Sequence, residues 1–199
     1  MNFNAPLILE NERLSVKPLE LEHLNDLKLI AINNPELLKY SPSPFGNEEK
    51  LREYIENAIS ERRNLRRYPF VIFDKKLERF VGSTSFGNIS VKDKRLEIGW
   101  TWLDPEVQGT GLNKSCKHLL LQYSFDRIGF ERVEFKIDSR NLQSRRAIEK
   151  IEAVLEGELR SHTLMADGFR RNTVYYSILK KEWRKLKETI FKEFNEKNY

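Results

Sequence analysis

Short apolar runs, Leu7-Ile8-Leu9 and Leu14-Ser15-Val16-Lys17-Pro18-Leu19, give residues 7 to 19 the pattern of a strand, and Pro18 predicts its end. From about Glu20 to Ile32, Leu21, Leu24, Leu27 and Leu29 recur at near-helical spacing and predict a first helix. Turn formers crowd Asn33-Asn34-Pro35 and Ser41-Pro42-Ser43-Pro44-Phe45-Gly46-Asn47, a stretch that must interrupt regular structure and either rims a pocket or joins two helices. Asn47, ahead of Glu48, Glu49 and Lys50, reads as a helix start, and Leu51, Tyr54, Ile55, Ala58 and Ile59 then keep helical spacing. The pairs Arg62-Arg63 and Arg66-Arg67 fall near its end, where cations complement the helix dipole.

Three strand-like runs follow, Tyr68 to Phe73, Arg79 to Phe86 and Arg95 to Leu103, separated by charged or glycine-bearing turns as in an antiparallel meander. After Gln108-Gly109-Thr110-Gly111, the residues Leu112, Cys116, Leu119, Leu120 and Tyr123 predict an amphipathic helix. Glu131 to Asp138 alternates as a strand, and Asn141 to Ile151 returns to a helical pattern. Two further strands, around Val154 to Leu164 and Phe169 to Leu179, are joined by Ala166-Asp167-Gly168. The order predicts a mixed α/β fold, one domain over 1–199, with a core of about 7–180 and an amphipathic tail helix of about 181–197.

Composition narrows the chemistry. With 199 residues and 39% hydrophobic content, one domain can bury a sizeable core. No window approaches the roughly 18 to 20 apolar residues of a membrane span, and Met1-Asn2-Phe3-Asn4 lacks the basic flank and apolar core of a signal peptide, so a cytoplasmic protein is expected. The single cysteine, Cys116, and three scattered histidines, His23, His118 and His162, have no metal-site spacing, which predicts metal-free chemistry. The net charge of +5 raises the question of nucleic acid, but acidic residues lie among the basic ones throughout, and a small anionic cofactor explains the excess equally well.

The turn at Gln108 to Asn113 carries the most chemistry. A glycine-containing loop entering a helix exposes backbone N–H groups that can converge on phosphate oxygens, and glycine permits the close approach. Gln108-Gly109-Thr110-Gly111-Leu112-Asn113 resembles the Gln/Arg-x-x-Gly-x-Gly/Ala signature of the GNAT superfamily of N-acetyltransferases. The chain is most similar to the ribosomal-protein alanine acetyltransferase (RimJ/RimL-like) branch. That likeness lies in Arg13 to Leu19, Glu97-Ile98-Gly99-Trp100, Asn141 to Arg146, Leu155 to Arg160 and Val174 to Ser177, and runs in order from about residue 11 to 180. The sequence departs from the branch at Asn113, where Gly or Ala is usual, at Glu152, where the helix commonly ends in Gly, and at Asn172, which replaces a frequent Asp.

The resemblance implies a twisted, mostly antiparallel sheet flanked by helices and opened in the middle, with Trp100 to Leu103 splayed from Val133 to Ile137. It implies that acetyl-coenzyme A is the co-substrate, with its pantetheine arm in that gap bonded by backbone groups of Trp102 and Leu103. Its phosphates would lie on Gln108, Gly109, Thr110, Gly111, Leu112 and Asn113. Asn141 and Ser144 would contact the cofactor, with Ser144 a proton donor to the departing thiolate. Many superfamily members use a tyrosine four residues beyond that serine, but here the residue is Ile148.

From the residues themselves the alternatives stay open. Strict alternation puts Leu96, Ile98, Trp100 and Trp102 on one strand face, which reads as core, and Glu97, Gly99 and Thr101 on the other. Glu97 is then either a general base at the edge of a cleft or a carboxylate paired with a nearby cation. Asn141 and Ser144 share a helix face and also fit plain N-capping. His162 is a candidate base or substrate contact, although a lone strand histidine is more often structural. Tyr175 and Tyr176 alternate, so only one can face a cleft. Lys114, Arg145 and Arg146 are candidates for a terminal phosphate or simply solvated.

Cys116 shares the apolar face of its helix, which argues against an acyl-cysteine step and for direct attack of an amine on the thioester. Trp183, Leu186, Ile190 and Phe194 form an apolar stripe on the tail, suited to packing on the domain or on a second subunit in a homodimer. The acceptor expected by resemblance is a protein N-terminal amine. An amino acid, polyamine or antibiotic amine remains an alternative, as does a non-catalytic coenzyme A-binding protein or a basic partner-binding module.

Overall fold

The computed structural model describes residues 3, 5–165 and 167–194. It holds an open eight-stranded sheet in the order β1-β2-β3-β4-β5-β6-β8-β7. The strands are β1 (Leu9–Glu10), β2 (Leu14–Pro18), β3 (Arg67–Asp74), β4 (Arg79–Ser90), β5 (Arg95–Leu103), β6 (Arg132–Asp138), β7 (Val154–Leu164) and β8 (Arg170–Leu179). The helices are α1 (Leu24–Asn33), α2 (Glu48–Arg63), α3 (Leu112–Gln122), α4 (Leu142–Glu149) and α5 (Lys180–Glu188). Every strand pair is antiparallel except β5 with β6, which run parallel.

The first predicted strand is a hairpin instead, because Asn11 Oδ1 accepts from the backbone N–H of Arg13 and Leu14 and turns the chain between β1 and β2. The first helix begins with a 3-10 turn, Leu21–His23. As predicted, Asn47 caps α2: its Oδ1 accepts from Lys50 N at 2.8 Å. The turn-rich stretch before it joins the two helices.

Two apolar clusters occupy the two faces of the sheet. Leu96, Ile98, Val133 and Phe135 pack with Leu112, Cys116 and Leu120 of α3, whereas Trp102 and Val71 pack with Leu27, Leu51 and Ile55 of α1 and α2. Each such buried side chain contributes on the order of 1.5–3 kcal/mol of transfer free energy.

The division overturns the alternation expected for β5. Leu96 and Ile98 lie in the α3-side cluster, but Trp102 lies in the α1/α2-side cluster. Opposite Ser83 to Ser85 of β4, the register advances from Trp102 to Gly99, one residue too many, and Trp100 takes a φ of +51°. This β-bulge reverses the faces beyond it. Trp100 is therefore not a core residue. It is half-buried and folds over Gly87, where a Cβ would lie 2.3 Å from its ring.

The tail stripe packs on its own domain. Trp183 and Leu186 are buried with Phe191, and Ile190 and Phe194 lie against the same cluster. His118 of α3 lies among the rings of Trp183, Phe191 and Phe194 at 5.0 to 5.7 Å. The helix is shorter than predicted, giving way after Glu188 to a 3-10 turn at Lys192–Phe194. Residues 195–197 of the predicted helix, and Ala166 of the predicted β-turn, lie outside the described residues.

Candidate active site

A parallel strand pair that separates leaves backbone groups without strand partners. β5 and β6 pair only at Arg95, Leu96 and Glu97 with Arg132, Val133 and Glu134. The opening thus starts at Phe135, two residues later than the resemblance implied. Beyond it, β6 pairs only with β8, and the residues of β5 past Glu97 pair only with β4. Both strands run toward the open end, so the helices that follow them, α3 and α4, begin there too.

Gly111, with a φ of +86°, is the N-cap residue of α3 and provides no side-chain cap. Gly109 has a φ of +77°, and a Cβ at either glycine would meet nothing within 4 Å. The backbone N–H groups of Leu112, Asn113 and Lys114 donate no hydrogen bond among the described residues, the first bond of the helix being from Ser115 N to Gly111 O, an arrangement suited to an anion. Thr110 Oγ1 donates to the carbonyl of Val107 at 2.7 Å, closing the loop on itself. Leu112 is buried as an anchor, and Asn113 is half-buried with its Oδ1 buried and without a hydrogen-bond partner among the described residues.

Gln108 bridges the mouth of the cleft. Its Nε2 donates to the carbonyl of Leu103 at 3.1 Å and its Oε1 accepts from Gln143 Nε2 of α4 at 2.8 Å. Asn141 caps α4, its Oδ1 accepting from Ser144 N at 3.0 Å. The Ser144 hydroxyl, half-buried, makes no hydrogen bond among the described residues. The cap and a free hydroxyl thus coexist.

Glu97 is 5% exposed, and its Oε2 is bonded by Asn88 Nδ2 at 2.6 Å and by Lys136 Nζ at 3.0 Å. Lys136 also lies 3.7 Å from Glu134 and over the ring of Tyr175. Tyr175 is thus the tyrosine on the Glu97 side. Tyr176 points the other way, donating to Glu149 and accepting from Arg145. On the α3 side of β5, Lys117 is buried and donates to Thr101 Oγ1 at 2.8 Å, and burial pulls its pKa down to about 8. Nothing in the sequence singled it out, because a lysine between Cys116 and His118 reads as the polar edge of an amphipathic helix.

Other candidates are engaged elsewhere. His162 is exposed on the edge strand β7, its Nδ1 3.0 Å from Thr173 Oγ1. Lys114 pairs with Glu193 of the tail at 2.5 Å, Arg145 is turned inward toward Tyr176 and Ser139, and Arg146 is exposed. Cys116 is fully buried, which pushes its thiol up to about 11. Among the described residues, no group of three or more His, Cys, Asp and Glu side chains is placed to hold a metal, and no helix is long and apolar enough to cross a membrane.

A further residue pair lies across β5. Arg67, expected from the sequence only as a cation near the end of a helix, is 3% exposed, and its guanidinium lies 4.7 Å from the centre of the Trp100 ring. A cavity of about 370 Å³ opens here, walled by Pro42, Pro44, Tyr54, Glu61, Arg67 and Trp100. The turn-rich stretch therefore both joins two helices and rims a pocket.

The sequence pattern of the acetyltransferase (GNAT) domain family matches residues 13–154. The "Putative ribosomal N-acetyltransferase YdaF" of Bacillus subtilis (strain 168) is 28% identical over 180 residues, covering 87% of this chain and 94% of that protein. The crystal structure of a putative acetyltransferase from T. thermophilus is 33% identical with a TM-score of 0.85, covering 95% of this chain and 97% of that one. The structure of RimL, a ribosomal L7/L12 alpha-N-protein acetyltransferase, shares the fold at 20% identity with a TM-score of 0.76, covering 90% and 97% of the two chains. The chain thus belongs to the GNAT acetyltransferase family, resembles its RimJ/RimL-like branch, and is an acetyl-coenzyme A-dependent N-acetyltransferase.

Proposed function

We propose that this enzyme acetylates the N-terminal amine of a protein by direct transfer in the cleft between β5 and β6. The observation that carries the site assignment is that the two strands separate toward the same end at which α3 and α4 begin. Unpaired strand edges, the uncapped N–H groups of α3 and the start of α4 then meet at one groove. The ribosomal N-acetyltransferase named among its relatives supports the choice of acceptor.

Acetyl-coenzyme A supplies the activated thioester. In the proposed arrangement, N–H groups of Gly109, Thr110, Gly111, Leu112 and Asn113 hold its diphosphate, and Gln108 fixes the loop by its bonds to Leu103 and Gln143. Backbone groups of Trp102 and Leu103 bond the pantetheine amides, and Asn141 contacts the same arm through its amide group. The Ser144 hydroxyl, unengaged within the protein, donates a proton to the leaving sulfur. Glu97, buried on the acceptor side, takes the proton from the ammonium so that the neutral amine can attack. The buried, unactivated thiol of Cys116 agrees with transfer that does not pass through a cysteine.

The test is thermal stability with and without acetyl-coenzyme A, followed by free-thiol release against N-terminal peptides, amino acids and polyamines. Stabilisation with release by peptides supports the proposal. Release by small amines alone replaces the acceptor, and no stabilisation sinks the site assignment.

A further inference from the structure

The cavity beside Trp100 contains a buried cation with donors to spare. Arg67 Nε donates to Ser85 Oγ at 2.8 Å, Nη1 to Glu61 Oε2 at 3.1 Å and Nη2 to the Tyr54 hydroxyl at 2.9 Å. A guanidinium has five N–H bonds, so one on each terminal nitrogen has no partner among the described residues. The rings of Trp100 and Tyr54, 4.7 and 5.3 Å from the guanidinium carbon, hold its plane in place. Arginine keeps its charge when buried, and a guanidinium held in place with two N–H donors to spare suits a carboxylate.

The charge of the wall points the same way. Arg66 and Arg67 face one carboxylate, Glu61, whose side chain is 41% exposed and therefore largely solvated. The other polar linings, such as Asn57, Asn64 and Ser60, are neutral. The excess is positive, which opposes a polycationic acceptor. The cavity also lies on the Glu97 face of β5, because the bulge at Trp100 turns that ring toward Gly87, the register partner of Glu97. The α3 loop packs on the opposite face. An acceptor seated here approaches the cleft from the side away from the glycine loop.

We propose that Arg67 selects acceptors bearing a carboxylate close to the amine, with Trp100 and Tyr54 holding the arginine in position. The inference rests on the reading of the cleft as the site of transfer. A carboxylate of this kind is either an acidic side chain near a peptide N-terminus or the carboxylate of a free amino acid. Arg67→Lys keeps the charge but loses the fork, and Glu61→Gln removes the internal competitor for it.

The experiment compares kcat/KM, by thiol release, for matched acceptors: peptides with Asp or Glu against Asn or Gln at the second and third positions, and amino acids against their amides. Carboxylate acceptors should be favoured by about tenfold or more at low salt, since a buried charge-assisted hydrogen bond is worth at least that. Glu61→Gln should widen the ratio. Arg67→Lys, which keeps the charge without the fork, should narrow it by several-fold while leaving the KM for acetyl-coenzyme A within about twofold, a split that general destabilisation would not produce. The arm that responds identifies the source of the carboxylate. A ratio near one for the unaltered protein, or an unchanged ratio in Arg67→Lys, overturns the proposal. If no amine is acetylated, the function reading fails separately. Calorimetric binding of the same acid and amide pairs to the coenzyme A-loaded protein then decides: a preference for acids narrowed in Arg67→Lys sustains this site, and equal binding ends it.

Discussion

Gln143 Nε2 donates to Gln108 Oε1 at 2.8 Å, so the first turn of α4 is tied to the loop ahead of α3 across the mouth of the cleft. Gln108 is bonded in turn to the carbonyl of Leu103, the last residue of β5. The end of β5, the loop that follows it and the start of α4, remote from both in sequence, are thereby held in one relative position.

Removing that tie should loosen the groove more than the fold. Gln143 is exposed, so Gln143→Ala loses one solvated hydrogen bond worth about 0.5–1.5 kcal/mol. The expected result is a Kd for acetyl-coenzyme A about three- to tenfold weaker by calorimetry, with Tm changed by no more than a few degrees. An unchanged Kd would show that the bond has no part in shaping the groove.

Gly111→Glu should abolish cofactor-induced stabilisation. A Cβ there meets no protein atom, so the substitution is not excluded by packing, but the φ of +86° costs a side-chain-bearing residue about 1–2 kcal/mol. The new carboxylate would also stand where the proposed site requires an anion. A modestly lower Tm that no longer responds to acetyl-coenzyme A is the expected signature. A retained shift would move the phosphate site elsewhere.

Ser144→Ala and Glu97→Gln separate chemistry from binding. Loss of a proton donor or acceptor should lower kcat by about 10²-fold or more, with the acetyl-coenzyme A affinity nearly unchanged. Glu97→Gln should also lower Tm, because half-buried Lys136 loses the nearer of its two carboxylate partners, so the rate is read below the new transition. A normal kcat in either variant removes that residue from the mechanism.

The tail contact predicts a pH dependence of stability. Burial among Trp183, Phe191 and Phe194 pulls the pKa of His118 from 6.5 down to about 4. The unfolded chain then takes up a proton near pH 6.5, and the folded chain only near pH 4. The stabilisation is complete above the unfolded value, is lost as pH falls between the two, and changes no further below. On the order of 2–3 kcal/mol is at stake over that interval. Chemical denaturation at several pH values should show this slope, and His118→Phe should flatten it; an identical slope in the variant would assign it to other groups.

Much of the framework was legible in the sequence because it depends on neighbours in the chain. The Asn47 cap reads three residues ahead, the meander of β3 to β5 is set off by its turns, and the glycine loop precedes an amphipathic stretch. The hairpin at Asn11 was missed because a single side chain bonded to two local N–H groups does the turning, with no glycine to mark it.

The candidate site was legible only in part. Gln108, Asn141 and Ser144 were found through motif likeness, but the tie from Gln108 to Gln143, the pairing of Glu97 with Lys136 and the burial of Lys117 depend on strands and helices distant in sequence. Their residue types are common on protein surfaces, and only the partner reveals the environment.

By itself, then, the sequence determined the order of elements, the glycine-bearing loop ahead of α3 and the family, because periodicity, caps and glycine positions act over a few residues. The tertiary structure decided the faces of β5 and the cavity. Alternation predicts that Trp100 and Trp102 continue the core face of Leu96 and Ile98, but packing against Arg67 and Gly87 accompanies a bulge at a non-glycine residue. One extra residue in the register then reversed every side chain that follows, because side chains along a strand repeat every two residues.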